Sequence, residues 1–188
     1  MNFRKGIVTA AAALLIVAGG AASTVDAAES GTGNASVQIT AGSSSVMSVE
    51  VTSANFGTSE YSYAETSKTA KVTITATDNR GTGLGWHVNL SGTDFAGNNG
   101  KSFDVGNLAL AADALNGVAS GGYNPSVDGI TKNGAAPVKS SPTSILSAQA
   151  SKGIGQFKYD MNGTLKIPAG TLVGTYTSVL TVAIVSGP

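Results

Sequence analysis

The feature that most constrains the fold is the stretch 77–95, where a glycine-rich turn separates two segments of alternating side chains. In residues 71–77, before the turn, apolar and hydroxyl side chains alternate. After it, Trp86, Val88 and Leu90 fall on one face of an extended chain and polar residues fall on the other. This pattern predicts a β-hairpin with one apolar face, in which the Trp86 strand pairs with residues 71–77.

The amino terminus predicts export. Arg4 and Lys5 precede an apolar run, residues 7–18, and small residues follow up to Ala27, as in a signal peptide with its cleavage site. A membrane-spanning helix is less favoured, because that run is shorter than the ~20 residues needed to cross a bilayer. We therefore expect a signal peptide over residues 1–27 and no membrane span after its removal.

The mature chain divides into two parts by composition. Residues 28–34 are small or polar and predict a flexible leader, whereas residues 35–188 predict one β domain. The chain ends without a sorting motif or hydrophobic tail, so we expect any attachment to a surface to be noncovalent.

Charge and cysteine content exclude several classes of protein. Lys plus Arg and Asp plus Glu are equal at 11 each and are scattered, so no patch for nucleic acid or anionic lipid is predicted. Cysteine is absent, which excludes a disulfide framework and leaves burial and β-ladder hydrogen bonds to stabilise the domain.

Strand signals recur along the mature chain and helical periodicity is nearly absent. We predict an all-β fold, most simply a single-domain β-sandwich with Greek-key-like connections and little helix. The expected details are a hairpin turn at Asn162-Gly163, a short helical turn within residues 109–115, an irregular segment over residues 116–144, and a terminal strand over residues 175–185. That last strand is apolar on both faces, so we expect it to be central in a sheet or to meet a partner.

Several segments taken together resemble the WxL domain of Gram-positive surface proteins. They occur in the same order, across about 150 residues from near Ala35 to Pro188. The segments are Asp78-Asn-Arg-Gly-Thr-Gly-Leu-Gly-Trp-His-Val88 with Asp94-Phe95, Gly153-Ile-Gly155, Leu165-Lys-Ile-Pro-Ala-Gly170, and Gly174-Thr-Tyr-Thr-Ser-Val-Leu-Thr181.

The resemblance implies an extracellular cell-surface protein that associates noncovalently with peptidoglycan, often beside other surface proteins. The family motif, Trp-x-Leu, occurs twice in that family. Here the first copy reads Trp86-His87-Val88 and the second reads Val182-Ala183-Ile184, which makes the chain a divergent member. Loss of the second tryptophan affects wall binding if that ring stacks on sugar in the family. It affects wall binding much less if the ring fills the core.

Catalysis and metal binding are poorly supported, and we predict a protein that is not an enzyme and has no cofactor. The single histidine, His87, falls on the polar face of its strand, where a solvated or hydrogen-bonded side chain is expected rather than a catalytic base. No zinc or calcium motif is present. A weak calcium site of Asp78, Asn79 and Asp94 is a minor alternative.

Glycan binding is better supported by the available side chains. Aromatic rings pack on the CH faces of sugars, while amides and carboxylates bind their hydroxyls. The candidate ligand-binding residues are Trp86, Tyr61, Tyr63, Tyr123, Asp94, Asn98 and Asn99. For Trp86, however, packing in the core is the favoured interpretation. The other residues of the family motif, Val88, Val182 and Ile184, are expected to be structural as well.

Two functions from different classes therefore stand as hypotheses. The first is a noncovalent module that binds peptidoglycan or another cell-wall glycan, and other surface proteins. The second is an extracellular fibre or matrix subunit, in which the leader of one copy adds a strand to the sheet edge of the next. An extracellular hydrolase is the least favoured.

Overall fold

The computed structural model describes residues 37–38 and 46–187. The expected signal peptide, residues 1–27, and leader, residues 28–34, lie outside the described residues. Within the described part, the chain forms eleven strands and one short 3-10 helix. In order they are β1 (Met47–Val51), β2 (Thr66–Asp78), β3 (Trp86–Gly92), β4 (Phe95–Gly97), β5 (Ser102–Phe103), the 3-10 helix Val105–Asn107, β6 (Leu108–Val118), β7 (Ile130–Lys132), β8 (Thr143–Ala148), β9 (Gly155–Ile167), β10 (Tyr176–Thr177) and β11 (Leu180–Ser186).

The strands form three antiparallel sheets. Sheet A has the order β1-β2-β9-β6, sheet B the order β11-β3-β8-β7, and the small sheet C the order β10-β4-β5. The prediction of an all-β sandwich with little helix is confirmed.

The core lies between sheets A and B. In sheet A, β2 and β9 pair so that Ile74 is opposite Tyr159 and Ala76 is opposite Phe157. These four side chains are fully buried in one cluster with Trp86 and its neighbours on β3. Because side chains alternate between faces at period two, every second residue of β3, and of β9 as far as Leu165, is buried. Each large side chain so buried contributes about 1.5–3 kcal/mol.

The predicted hairpin between residues 71–77 and the Trp86 strand is wrong. Strand β2 pairs with β1 and β9, whereas β3 pairs with β11 and β8. The glycine-rich turn therefore carries the chain from sheet A to sheet B. The apolar faces of the two segments do meet, but across the core rather than side by side, since period-two alternation does not identify a strand's neighbour.

Two further local predictions are wrong. Asn162 and Gly163 lie inside the long strand β9, and Gly163 is needed for packing rather than for a turn. A Cβ atom on Gly163 would lie 2.9 Å from the carbonyl oxygen of Ala70 and 3.3 Å from the side chains of Leu110 and Phe56. Residues 109–115 belong to strand β6, whose pairing with β9 is interrupted between Ala112 and Leu115.

The carboxy-terminal segment is divided between two sheets. Residues 176–177 form β10 in sheet C, and β11 lies at the edge of sheet B. The central position, one of the two predicted alternatives, is therefore wrong, and contact of the strand with a partner stays a prediction. The irregular segment 116–144 contains β7, and it also places Ala135 and Val138 in the core. Both are anchored to β6, since the N–H of Val138 donates to Leu108 O and that of Ala135 donates to Leu110 O.

Candidate functional site

Trp86, at the start of β3, is part of the core. Its side chain is 0% exposed, and its indole N–H donates to the carbonyl oxygen of Gly153 at 2.8 Å. The ring of Phe157 lies 6.0 Å away, centroid to centroid. A ring buried in this way offers no surface to a ligand.

The two segments that correspond to the Trp-x-Leu motif are neighbours in sheet B. Strands β3 and β11 pair so that Ile184 is opposite Val88 and Val182 is opposite Leu90. Val88 is fully buried, and Val182 and Ile184 are partly buried against the same core cluster. In this chain, both segments thus contribute to one packed layer.

Asp78 and Arg80 join the two sheets at one end of the sandwich. The guanidinium of Arg80 binds both carboxylate oxygens of Asp78, each at 2.8 Å, and reaches Gly85 O at 3.1 Å and Ser186 Oγ at 2.6 Å. Asp78 ends β2 in sheet A, whereas Gly85 immediately precedes β3 and Ser186 ends β11, both in sheet B. The ion pair therefore fixes the crossing between the sheets.

The pair is largely withdrawn from water, with side chains 1% exposed for Asp78 and 16% for Arg80. Burial alone would raise the pKa of Asp78, but hydrogen bonds from Arg80 and its positive charge outweigh that effect, and the pKa lies below its ordinary value. Both oxygens are thus engaged by Arg80, which disfavours the calcium alternative. Among the described residues, no group of three acidic or histidine side chains is placed to hold a metal ion.

His87 makes a backbone contact. Its Nδ1 atom lies 3.0 Å from the carbonyl oxygen of Gly187. This agrees with the expectation of a hydrogen-bonded histidine on the outer face of its strand.

A groove of about 730 Å³ opens near the end of β1. One wall is the segment 51–61, which follows β1 along the surface, and the other is formed by residues 171–172 and 174–180. Lys68 lies at its side. The floor is apolar and consists of Phe95, Phe103, Leu108, Leu165 and Ile167.

Of the predicted aromatic ligand residues, the structure brings only Tyr61 to this groove. Tyr61 lines it and is 47% exposed, whereas Tyr63 is 88% exposed and lies outside the lining. The two rings contact edge to face at 5.1 Å. Tyr123 is also outside the lining, and its hydroxyl donates to Ile154 O at 3.4 Å.

The predicted polar ligand residues support a groove wall instead of lining it. The side-chain oxygen of Asn98 accepts from the N–H of Thr175 at 3.0 Å. The Asn99 side-chain nitrogen donates to Val173 O and to the Tyr176 hydroxyl, each at 3.0 Å. These bonds hold the wall formed by residues 174–180.

Asp94 has a similar structural contact. Its carboxylate accepts a hydrogen bond from the N–H of Val105 at 3.0 Å, at the start of the 3-10 helix. It therefore orders the chain between β5 and β6 and does not line the groove.

Sequence reasoning missed most of the groove lining. Its walls come from segments far apart in the chain, and residues 175–180 of one wall fall within the predicted terminal strand. One signal was present: Leu172 and Val179 are large apolar residues, and both are exposed on that wall.

No helix among the described residues has the length and apolarity that crossing a bilayer requires. A comparison with protein families matches residues 36–188 to the WxL model, described as WxL domain surface cell wall-binding. Comparison with curated proteins and with solved structures found no match.

Proposed function

The chain belongs to the WxL domain family of surface cell wall-binding proteins, and we propose that it is exported and attaches noncovalently to peptidoglycan. The observation that carries the proposal is the extent of the family match, residues 36–188, which spans every strand of the sandwich. A cell-surface, wall-binding role follows from the family. Export, the peptidoglycan ligand and the noncovalent mode are the proposed refinements.

The loss of the second tryptophan is compatible with this function. Val182 occupies that position and is partly buried against the core, opposite Leu90. A side chain that faces the core does not present its surface to the wall. Replacing a large apolar residue with a smaller one there changes packing, and the outer surfaces remain available for binding.

The protein is proposed to act without catalysis. The family is defined by wall binding, and His87 contacts a backbone carbonyl rather than an acid or a nucleophile. Among the described residues, apolar, hydroxyl and amide groups line the groove, together with one acidic residue, Glu60, and one basic residue, Lys68. In the part of the chain that the structure describes, paired carboxylates, which glycoside cleavage uses, do not line it.

Cell fractionation tests the proposed location and mode of attachment. Concentrated lithium chloride or guanidinium should release the protein from intact cells without digestion of the wall, because no covalent bond holds it. Recovery only from the cytoplasm would contradict export. Release only after digestion of the wall glycan would contradict noncovalent attachment.

Strand exchange is the second candidate, and the position of β11 favours it. In the strand order of the described residues, β11 is hydrogen-bonded only to β3, and β1 of the same chain approaches it without pairing. Residues 28–40 of another copy, or a strand of another surface protein, would have to pair with β11 beside β1. Fibres in electron micrographs that disappear when residues 28–40 are deleted would support it, and a strict monomer at high concentration would contradict it.

A further inference from the structure

We propose that the groove binds an uncharged segment of an N-acetylated amino-sugar chain, so that wall attachment occurs through the glycan strand rather than through charged peptide or phosphate groups. The inference rests on the proposed wall-binding function and assigns it a site. A volume of about 730 Å³ falls within the range of about 300–1,000 Å³ that is usual for ligand sites.

The groove offers apolar and aromatic surfaces for the CH faces of sugars. Phe103 packs between Phe95, with ring centroids 4.9 Å apart, and Tyr176, at 5.2 Å. Phe103 and Tyr176 are partly exposed toward the groove, and Tyr61 stands on the opposite wall. Sugar rings that are polar at the edge and apolar on the face suit such a lining.

The wall that follows β1 also has free hydrogen-bonding groups. Within the described residues, several backbone N–H groups of this wall donate to no protein acceptor: those of Ser53, Ala54, Phe56, Thr58 and Ser59. Acetamido carbonyls are acceptors that match amide donors, and sugar hydroxyls both donate and accept. A glycan bearing acetamido groups would supply acceptors for such donors.

Charge argues for a neutral ligand. The charged residues that line the groove are Glu60 and Lys68, one of each sign. A chain carrying repeated carboxylates or phosphates would need several cations. The two side chains together favour a ligand without net charge.

The backbone of this wall is unsuited to a protein strand. Gly57 has φ of +73°, and its N–H donates to the Asn55 side-chain oxygen at 2.8 Å. This turn interrupts the extended segment at its middle. An added β-strand needs a run of extended residues with regularly spaced donors and acceptors, which the turn prevents.

The test uses the N-acetylglucosamine tetramer as probe and the full chain in its exported form. Amide chemical shifts of residues 53–61 and 174–180 should change on titration, and those of the outer face of sheet B should not. Leu172→Arg, at an exposed groove position (50%), should weaken binding about tenfold or more by filling the groove. The matched control, Leu84→Arg, is at a similarly exposed site (56%) outside the groove and should bind like the native protein.

A second pair of variants tests the aromatic contact independently. Tyr61→Ala should weaken tetramer binding, and Tyr63→Ala should do so much less, because Tyr63 does not line the groove. Shift changes confined to other surfaces, or equal binding by Leu172→Arg and Leu84→Arg, would overturn the inference. So would shifts in the groove caused by an extended peptide and not by the tetramer.

Co-sedimentation of the same variants with purified peptidoglycan sacculi distinguishes the proposed attachment to peptidoglycan from the assignment of the glycan site to the groove. If sacculi retain Leu172→Arg as well as the native protein, wall binding stands and the groove assignment falls. If sacculi do not retain the native protein while the tetramer still shifts the groove residues, the groove remains a glycan site and the proposed peptidoglycan attachment falls.

Discussion

The indole N–H of Trp86 and the carbonyl oxygen of Gly153 are hydrogen-bonded at 2.8 Å, which ties strand β3 to the turn before β9. The two residues constrain each other. Gly153 has φ of +71°, and a Cβ atom there would lie 2.7 Å from the indole nitrogen of Trp86 and collide with Ala148. The close contact with the buried Trp86 therefore favours glycine at position 153.

Gly153→Ala should therefore lower the free energy of unfolding by about 2–4 kcal/mol, through left-handed backbone strain and overpacking together. Gly170→Ala is the matched control, because Gly170 has the same φ of +71° but a Cβ atom there would have no other atom within 4 Å. It should cost about 1–2 kcal/mol from strain alone. Urea unfolding followed by Trp86 fluorescence measures both. Equal losses would contradict the packing role of Gly153.

The sequence predicted features that depend on local side-chain pattern. It did not predict which distant strands pair. The apolar face of residues 86–90 was predicted correctly, because period-two alternation is a property of the segment itself. The partner of the Trp86 strand was predicted wrongly, since it depends on which distant strands close the sheet.

The candidate site was predictable only in part. Tyr61 was identified from its residue type, but the groove depends on the approach of residues 51–61 and 174–180, which no local pattern encodes. Asn98 and Asn99 were chosen as sugar contacts, whereas their hydrogen bonds go to the adjacent wall. The ion pair of Asp78 and Arg80 was not predicted either, because both residues lie in a glycine-rich segment whose composition is typical of an ordinary turn.

Arg80→Ala should destabilise the protein by about 3–5 kcal/mol at neutral pH, since it leaves the buried Asp78 carboxylate without its partner. The surface pair of Lys152 and Asp128 provides the control, with side chains 42% and 75% exposed. Lys152→Ala should cost under about 1 kcal/mol. Denaturant unfolding of the two variants checks the difference, and a loss for Arg80→Ala as small as the control would contradict the structural role of the pair.

The same ion pair predicts acid sensitivity. Because the folded-state pKa of Asp78 is lowered, the pair's contribution is fully present above the unfolded pKa of about 4 and is lost as pH falls through the folded value. Native stability should decline more steeply below about pH 4 than that of Arg80→Ala. Unfolding midpoints between neutral and acid pH measure this, and parallel curves would contradict it.

The raised pKa of Tyr159 predicts a loss of stability at alkaline pH. Burial, with a further effect of the Asp113 charge, raises its pKa to about 12, and its hydroxyl donates to Asn133 O at 2.6 Å. The unfolded phenol loses its proton near pH 10, so stability should fall as pH rises from about 10 to 12. Tyr159→Phe should remove this component and cost about 1 kcal/mol at neutral pH. An unchanged alkaline profile in the variant would contradict it.

Val182→Trp restores the family's second tryptophan and tests its role here. Because Val182 is partly buried against the core, the larger ring should overpack the site and cost about 1–3 kcal/mol. Val185→Trp, on the exposed face of the same strand, should cost little. Neither variant should bind sacculi more tightly than the native protein. Stronger binding by Val182→Trp alone would instead assign that position to the ligand.

The most direct test of wall binding is co-sedimentation of the native protein and Trp86→Phe with purified peptidoglycan sacculi. Both should pellet with the sacculi and be released by denaturant, because Phe keeps an aromatic ring in the core and Trp86 presents no surface to the ligand. Native protein that remains in the supernatant at every salt concentration would contradict the account.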